Sequence, residues 1–287
     1  MRLHLIDGTF ELFRSFFGAP PRRDPSGAAV SAVHGIVAST LALLEDGATH
    51  VGVAFDTVIS SFRNDLYPGY KTGEGVPEEL LAQFPWAEDA VASLGVTVWG
   101  MREYEADDAI ASAVERYASA FEQVVIMSPD KDLAQCVQGD RVVTFDRRQR
   151  AFVDEAGVVA KFGVSPDSIP DYLGLVGDNA DGFPGVRGWG AKSASTVLAE
   201  YRHIEGIPLE AHLWKPEVRG AARLVESLRT SMSDALLFRF LARLRRDVPL
   251  TEDVEDLRWK GVPRDRFIEV MDRFGFETLK GRPKSWA

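Results

Sequence analysis

The chain has 287 residues, 45% hydrophobic and 26% charged, a globular balance that excludes a disordered or fibrous protein and could build one large core or two modest ones. Its formal net charge is −10, from 43 acidic against 33 basic residues, which taken alone argues against a nucleic-acid partner, because phosphate binding leaves a basic footprint. A single cysteine, Cys136, excludes a disulfide framework and a cysteine-rich zinc site, and no apolar run approaches the roughly 20 residues of a membrane span, so a soluble, cytoplasmic protein without a membrane partner is expected.

The first predicted element is a buried strand over residues 3–6, an apolar run that stops at Asp7-Gly8. A helix follows over 30–45, and a second buried strand over 51–55 stops at Asp56. Helices are predicted over 78–94 and 105–120, and a third strand over 124–127 ends in Ser128-Pro129-Asp130. Strands alternating with helices imply βαβ units, hence an α/β fold whose mainly parallel central sheet is flanked by helices. Ligands of such sheets bind beyond the carboxyl ends of the strands. Asp7, Asp56 and Asp130 each stand where a strand stops, so three carboxylates are expected to converge on one edge. Residues 140–153 read as a hairpin whose tip, Asp146-Arg147-Arg148-Gln149-Arg150, is basic, more a solvated turn than a DNA contact. Beyond about residue 160, helices and Gly- and Pro-rich turns dominate. The expected domains are an α/β core over 1–160 and a helical C-terminal region over 161–287.

The densest chemistry is Glu105-Ala106-Asp107-Asp108, three acids that open a helix at the end where its dipole favours negative charge. Acids also decorate first turns without function. Asp130-Lys131-Asp132 and Asp178-Asn179-Ala180-Asp181 weigh against that reading, because clustered carboxylates repel one another unless a cation binds among them. Oxygen ligands drawn from several segments suit Mg²⁺ or Mn²⁺. With the nine nominated carboxylates set aside, 34 acids face 33 bases, so the global charge does not decide the partner.

Gly185, Gly188 and Gly190 precede an Ala-rich helix that carries Lys192 in its first turn. Glycines so placed let backbone N–H groups approach a phosphate, although the same pattern also makes ordinary inter-helix loops. Arg239, Arg243, Arg245 and Arg246 form a basic, helix-like stretch that reads as a solvated face or a duplex contact.

Taken in order, Asp7-Gly8 with Arg14, Phe55-Asp56, Phe62-Arg63 through Tyr67-Pro68-Gly69-Tyr70-Lys71, Glu105-Ala106-Asp107-Asp108, Ser128 to Leu133, and Gly177-Asp178 to Lys192 resemble the bacterial 5′→3′ exonuclease and flap endonuclease family. The chain is similar to the 5′ nuclease domain of DNA polymerase I standing alone, closely over residues 1–200 and more loosely beyond.

The resemblance implies that Asp7, Asp56, Glu105 and Asp107 surround a first metal ion, that Asp130, Asp132 and Asp178 serve a second, and that Asp108 and Asp181 act nearby or through water. Two Mg²⁺ ions roughly 4 Å apart, with Mn²⁺ able to substitute, would activate a nucleophile and stabilise the leaving oxygen of a phosphodiester. Asp7, Asp107 and Lys71 are the expected catalytic groups, with Lys71 on a helical arch over about 62–90. Arg14, Arg63, Lys71, Gly185, Gly188, Gly190 and Lys192 are the expected DNA contacts. A helix–three-turn–helix motif over about 170–200 would grip one duplex strand, with K⁺ held by backbone carbonyls. The implied partner is DNA with a 5′ end, flap or branch, bound by a monomer; recruitment by a polymerase or clamp is left open. Where the family shows Asn-Arg after the arch Tyr-Lys, this chain has Thr72-Gly73-Glu74-Gly75, and Gly182-Phe183 stands in place of Asn-Ile. Two other classes stay open, a PIN-like ribonuclease and a non-catalytic DNA-junction binder. The Gly-rich turn argues against the first and the intact carboxylate set against the second.

Overall fold

In chain order the elements are β1 (Arg2–Asp7), α1 (Gly8–Gly18), α2 (Ser31–Glu45), β2 (His50–Asp56), α3 (Phe62–Leu66), α4 (Glu78–Leu81), α5 (Phe84–Ala92), β3 (Thr97–Met101), α6 (Ala106–Tyr117) and β4 (Gln123–Met127). There follow β5 (Val142–Asp146), β6 (Ala151–Val153), α7 (Glu155–Phe162), α8 (Ile169–Val176), α9 (Ala191–Tyr201), α10 (Ala221–Thr230), α11 (Met232–Ala242), α12 (Arg264–Phe274) and α13 (Glu277–Lys280). The structure, a computed structural model, describes residues 1–147 and 149–287; Arg148, in the basic hairpin tip read from the sequence, lies outside the described residues. Two compact units form: Met1–Ser61 with Gly73–Ser128 and Arg246–Ala287, and Phe62–Thr72 with Pro129–Arg245.

The first unit is built on four parallel strands in the order β3-β2-β1-β4. Strand β2 is buried at six consecutive positions, as a strand covered on both faces must be, which is why its sequence reads as an apolar run without alternation. Helix α6 packs on β1, β2 and β3, while α1, α2 and α5 pack on one another. The mainly parallel sheet flanked by helices is therefore as expected. Strand β3 was not foreseen; it is a partly exposed edge whose Gly100 and short length hide the strand signal. The predicted helix over 78–94 is two helices, because Pro85 lacks the N–H an interior helical position needs and instead sits in the first turn of α5.

The second unit is helical around the antiparallel β5–β6 hairpin. Its core gathers Ile169, Leu173, Phe183, Val197, Leu228 and Phe238, among others. Helices α8 and α9 flank the loop 177–190. The basic stretch at 239–246 is not one helix, since α11 ends at Ala242, and it divides: Arg239 is bound to the fully buried Asp171 at 3.2 Å and to Glu205, whereas Arg243 and Arg246 are exposed. Among the described residues, no helix is long and apolar enough to cross a membrane.

Candidate active site

In the first unit, strand register carries the acids to the carboxyl edge of the sheet. Ile6 lies beside Met127, so the residues that follow are neighbours, and the Ser128 hydroxyl donates to Oδ2 of Asp7 at 3.0 Å. Oδ1 of Asp7 accepts the Phe10 amide at 2.8 Å and caps α1. Asp56 accepts the Ala106 amide at 2.8 Å where α6 begins, and its own amide donates to Oγ1 of Thr9 at 2.8 Å. Ser61 donates to Oε1 of Glu105 at 2.7 Å. Asp108 is fully buried, and its Oδ2 accepts the Glu105 amide at 3.0 Å, so one of its oxygens works as a helix cap. Asp107 is half-buried on the same turn.

In the second unit, Asp132, Asp178 and Asp181 are all buried and each offers a carboxylate oxygen within 4.8 Å of the other two. Asp178 and Phe183 exchange backbone hydrogen bonds at 2.8 and 3.0 Å, closing the loop that carries Asp178 and Asp181. Phe183 anchors that loop by stacking on Phe238, with ring centroids 5.6 Å apart. Oδ1 of Asp178 accepts the Ala180 amide at 2.9 Å. Asp130 is exposed and outside the trio; its Oδ1 accepts the Asp132 amide at 2.9 Å and shapes the turn.

The electrostatics of this trio are those of a cation site. Oδ1 of Asp132 is buried without a hydrogen-bond partner among the described residues, a costly state for a carboxylate oxygen. Burial, then the charges of Asp130 and Asp181, push Asp132 well above the ordinary carboxylate range, against the opposing pull of Lys131. Lys131 holds its ammonium 2.6 Å from Oδ2 of Asp178. Burial alone would favour the neutral amine, but the carboxylates of Asp132, Asp178 and Asp130 outweigh it and raise its pKa. Hard oxygens that repel one another and include an unsatisfied atom fit a divalent metal ion.

Lys71 belongs to this second cluster. Its amide donates to the Asp181 carbonyl at 2.9 Å and its ammonium lies 3.2 Å from Oδ1 of Asp181. Gly182, at φ +85°, permits the approach, since a Cβ there would collide with the Gly69 carbonyl.

The remaining expected DNA contacts divide. Arg14 lies on α1 and bonds the buried Glu11 at 2.7 Å. Arg63 does not face a phosphate: it is 1% exposed, and its guanidinium donates to the carbonyls of Leu241 at 2.8 Å and Arg243 at 3.1 Å. Gly185, at φ +70°, serves the chain itself, because a Cβ there would collide with the backbone of Val176 and Gly177. Gly188, at φ +85°, also uses glycine's backbone freedom, but a Cβ there would reach only Leu224 at 4.0 Å, and one at Gly190 would meet nothing within 4 Å. Both face open space beside Lys192, exposed in the first turn of α9. Reasoning from sequence gave no role to Thr9, Ser61, Ser128 or Lys131, which hold or neutralise the acids. Their one sequence signal is position, next to a strand end or between two acids.

The model of the 5′-3′ exonuclease N-terminal, resolvase-like domain matches residues 2–163, and that of the 5′-3′ exonuclease C-terminal SAM fold matches residues 164–265. The chain is 33% identical over 279 residues to the 5′-3′ exonuclease of Aquifex aeolicus, covering 96% of this chain and 93% of that protein. It is 32% identical over 288 residues to DNA polymerase I of Mycobacterium leprae, covering 98% of this chain and 31% of the polymerase, so it spans about a third of that relative. By fold it is similar to the T5 D15 protein co-crystallised with metal ions, with a TM-score of 0.67 at 20% identity over 98% of this chain and 99% of the other. It is also similar to the catalytic core of Rad2 in complex with a DNA substrate, with a TM-score of 0.60 at 14% identity over 96% and 88%.

Proposed function

The chain belongs to the 5′-3′ exonuclease family, and on that premise we propose that it is a structure-specific 5′ nuclease that hydrolyses DNA at a 5′ end, flap or branch, in replication or repair. The observation that carries this reading is the buried Asp132, Asp178 and Asp181 trio with its unsatisfied carboxylate oxygen. A DNA substrate is supported by similarity in fold to nucleases described in complex with DNA.

In this reading Asp7, Asp56, Glu105 and Asp107 would hold one Mg²⁺, and Asp132 and Asp178, with Asp130 beside them, would hold another. Asp108 and Asp181 orient water or neighbouring ligands, and Mn²⁺ can take the place of Mg²⁺. When bound, such ions would supply Lewis-acid charge to activate water and to offset charge on the leaving oxygen. The chain's own groups do the positioning. Ser128 and the Phe10 amide fix the two oxygens of Asp7, while Ser61 aims Glu105. Lys71 places a cation where negative charge grows on the scissile phosphate. The backbone at Gly188 and Gly190, with Lys192, approaches the phosphates of one duplex strand and so reads shape without reading bases. Carbonyls of the same turn are the proposed K⁺ ligands.

The test is cleavage of a 5′-flap duplex by the purified protein. Cutting that requires Mg²⁺ or Mn²⁺ and stops with EDTA is the expected result. Tight duplex binding without cutting would indicate a junction binder, and preferred cutting of RNA would indicate a ribonuclease.

A further inference from the structure

Beside the Gly188 turn, a surface cleft of about 620 Å³ is lined by Arg187, Arg219 and Arg223, with Glu226 the one acid on its wall. The turn and α10 form one wall because two hydrogen bonds tie them together: Ser227 Oγ donates to the Arg187 carbonyl at 2.6 Å, and Trp189 Nε1 donates to the Leu224 carbonyl at 3.2 Å. Glu226 is engaged by Arg229. The three lining arginines are exposed and have no ion-pair partner among the described residues.

Acids outnumber bases by ten, and several arginines are matched to them, as Arg239 is to Asp171 and Arg282 to Glu45 at 2.7 Å; these three instead line one cleft together. Three guanidiniums without an acid repel one another, and a polyanion removes that repulsion. The guanidinium fork also fits phosphate oxygens in pairs, which a lysine ammonium does not.

We infer that the Arg187–Arg219–Arg223 cleft is a second phosphate-binding surface, which takes the sugar–phosphate backbone of duplex DNA beyond the Gly188–Gly190 turn. The inference rests on the proposed DNA substrate and extends it: the turn meets the duplex through backbone N–H groups and the cleft through side-chain charge. The cleft adds affinity without base specificity, since phosphate contacts carry no sequence information. Its acidic rival, a carboxylate-rich peptide, would satisfy the charge but has no reason to lie in line with a phosphate-gripping turn.

The experiment is equilibrium binding of a 5′-flap duplex in Ca²⁺ over a range of salt concentrations, for the wild type, for Arg219→Gln/Arg223→Gln and for Lys192→Ala. Each lost phosphate contact lowers the slope of log K against log salt by about 0.9, so the double variant should lose close to two units of slope and Lys192→Ala about one. The arginines are exposed, and an unchanged melting temperature of the double variant confirms that the fold is intact. If wild type and double variant share one slope while Lys192→Ala differs, the cleft does not bind DNA and the turn still does. If poly-glutamate binds the wild type but not the double variant, while the two bind duplex with the same affinity and salt slope, the cleft is a peptide site and the inference fails. If the wild type shows no salt-dependent duplex binding at all, the underlying nuclease reading fails with it.

Discussion

The Lys131 ammonium lies 2.6 Å from Oδ2 of Asp178, so a side chain from the turn after β4 neutralises a carboxylate from the loop after α8. That pairing offsets only part of the negative charge, because Asp132 is still pushed upward by burial and by Asp130 and Asp181. Asp132→Asn relieves the repulsion but removes a ligand. In EDTA its melting temperature should equal or exceed that of the wild type, whereas the rise produced by Mn²⁺ should disappear. Cleavage should fall by at least the ~10–100-fold seen when a metal site is disturbed. A variant that kept the full Mn²⁺ shift would remove Asp132 from the metal site.

Lys71 is held at the cluster twice, through its amide and through its ammonium. Lys71→Ala keeps the first and loses the second. Single-turnover cleavage should slow by about a hundredfold, as for other groups that meet charge developing in the transition state, while duplex affinity in Ca²⁺ changes little. Loss of affinity at an unchanged rate would place Lys71 on the duplex path only.

Gly185 and Gly190 should behave in opposite ways. Gly185→Ala forces a side chain at φ +70° into the backbone of Val176 and Gly177, so the melting temperature should fall sharply. Gly190 has extended backbone and open space, so Gly190→Val should melt like the wild type and lose duplex affinity. Thermal melts beside binding isotherms separate the two, and a Gly190→Val variant that binds normally would take that residue off the DNA.

Arg63 is a strut of the second unit. Arg63→Ala leaves the Leu241 and Arg243 carbonyls without their donor and should cost on the order of 3 kcal/mol, read as a shift in urea midpoint. Arg63→Lys should not restore the loss, because an ammonium lacks the planar fork. A near-neutral Arg63→Ala would show that these bonds contribute nothing to folding.

His34 sets a sign for the pH dependence of stability. Its Nε2 is buried without a hydrogen-bond partner among the described residues, and its ring meets Phe276 edge-on at 5.0 Å. Burial, then the charges of Arg22 and Arg282, hold it below its ordinary 6.5. The unfolded chain therefore binds the proton first, so stability is full above 6.5 and is lost as pH falls from there toward the lower folded value. His50 is lowered too, chiefly by burial and then by Arg258, and adds a loss of the same sign. His34→Leu should flatten, without abolishing, the decline in urea midpoint between pH 7.5 and 5.5. An unaltered decline would mean that His34 protonates freely in the folded protein.

The sequence by itself determined the strands that end in Asp7 and Asp56, because a strand buried on both faces leaves an apolar run that is readable without its neighbours. It also located the acids along the chain and the glycine-rich turn before α9. It did not disclose β3, whose edge position weakens the pattern, nor which segments share a unit: Phe62–Thr72 joins Pro129–Arg245 while Arg246–Ala287 returns to the first unit. Tertiary structure alone decided the work of individual residues. Arg63 reads as a DNA contact and is buried; Gly185 reads as a phosphate contact and is needed by the chain's own backbone; Lys131, given no role from the sequence, neutralises Asp178. The physical reason is that periodicity records whether a position is apolar, whereas the partner of a charge or the space beside a Cα depends on residues distant in sequence.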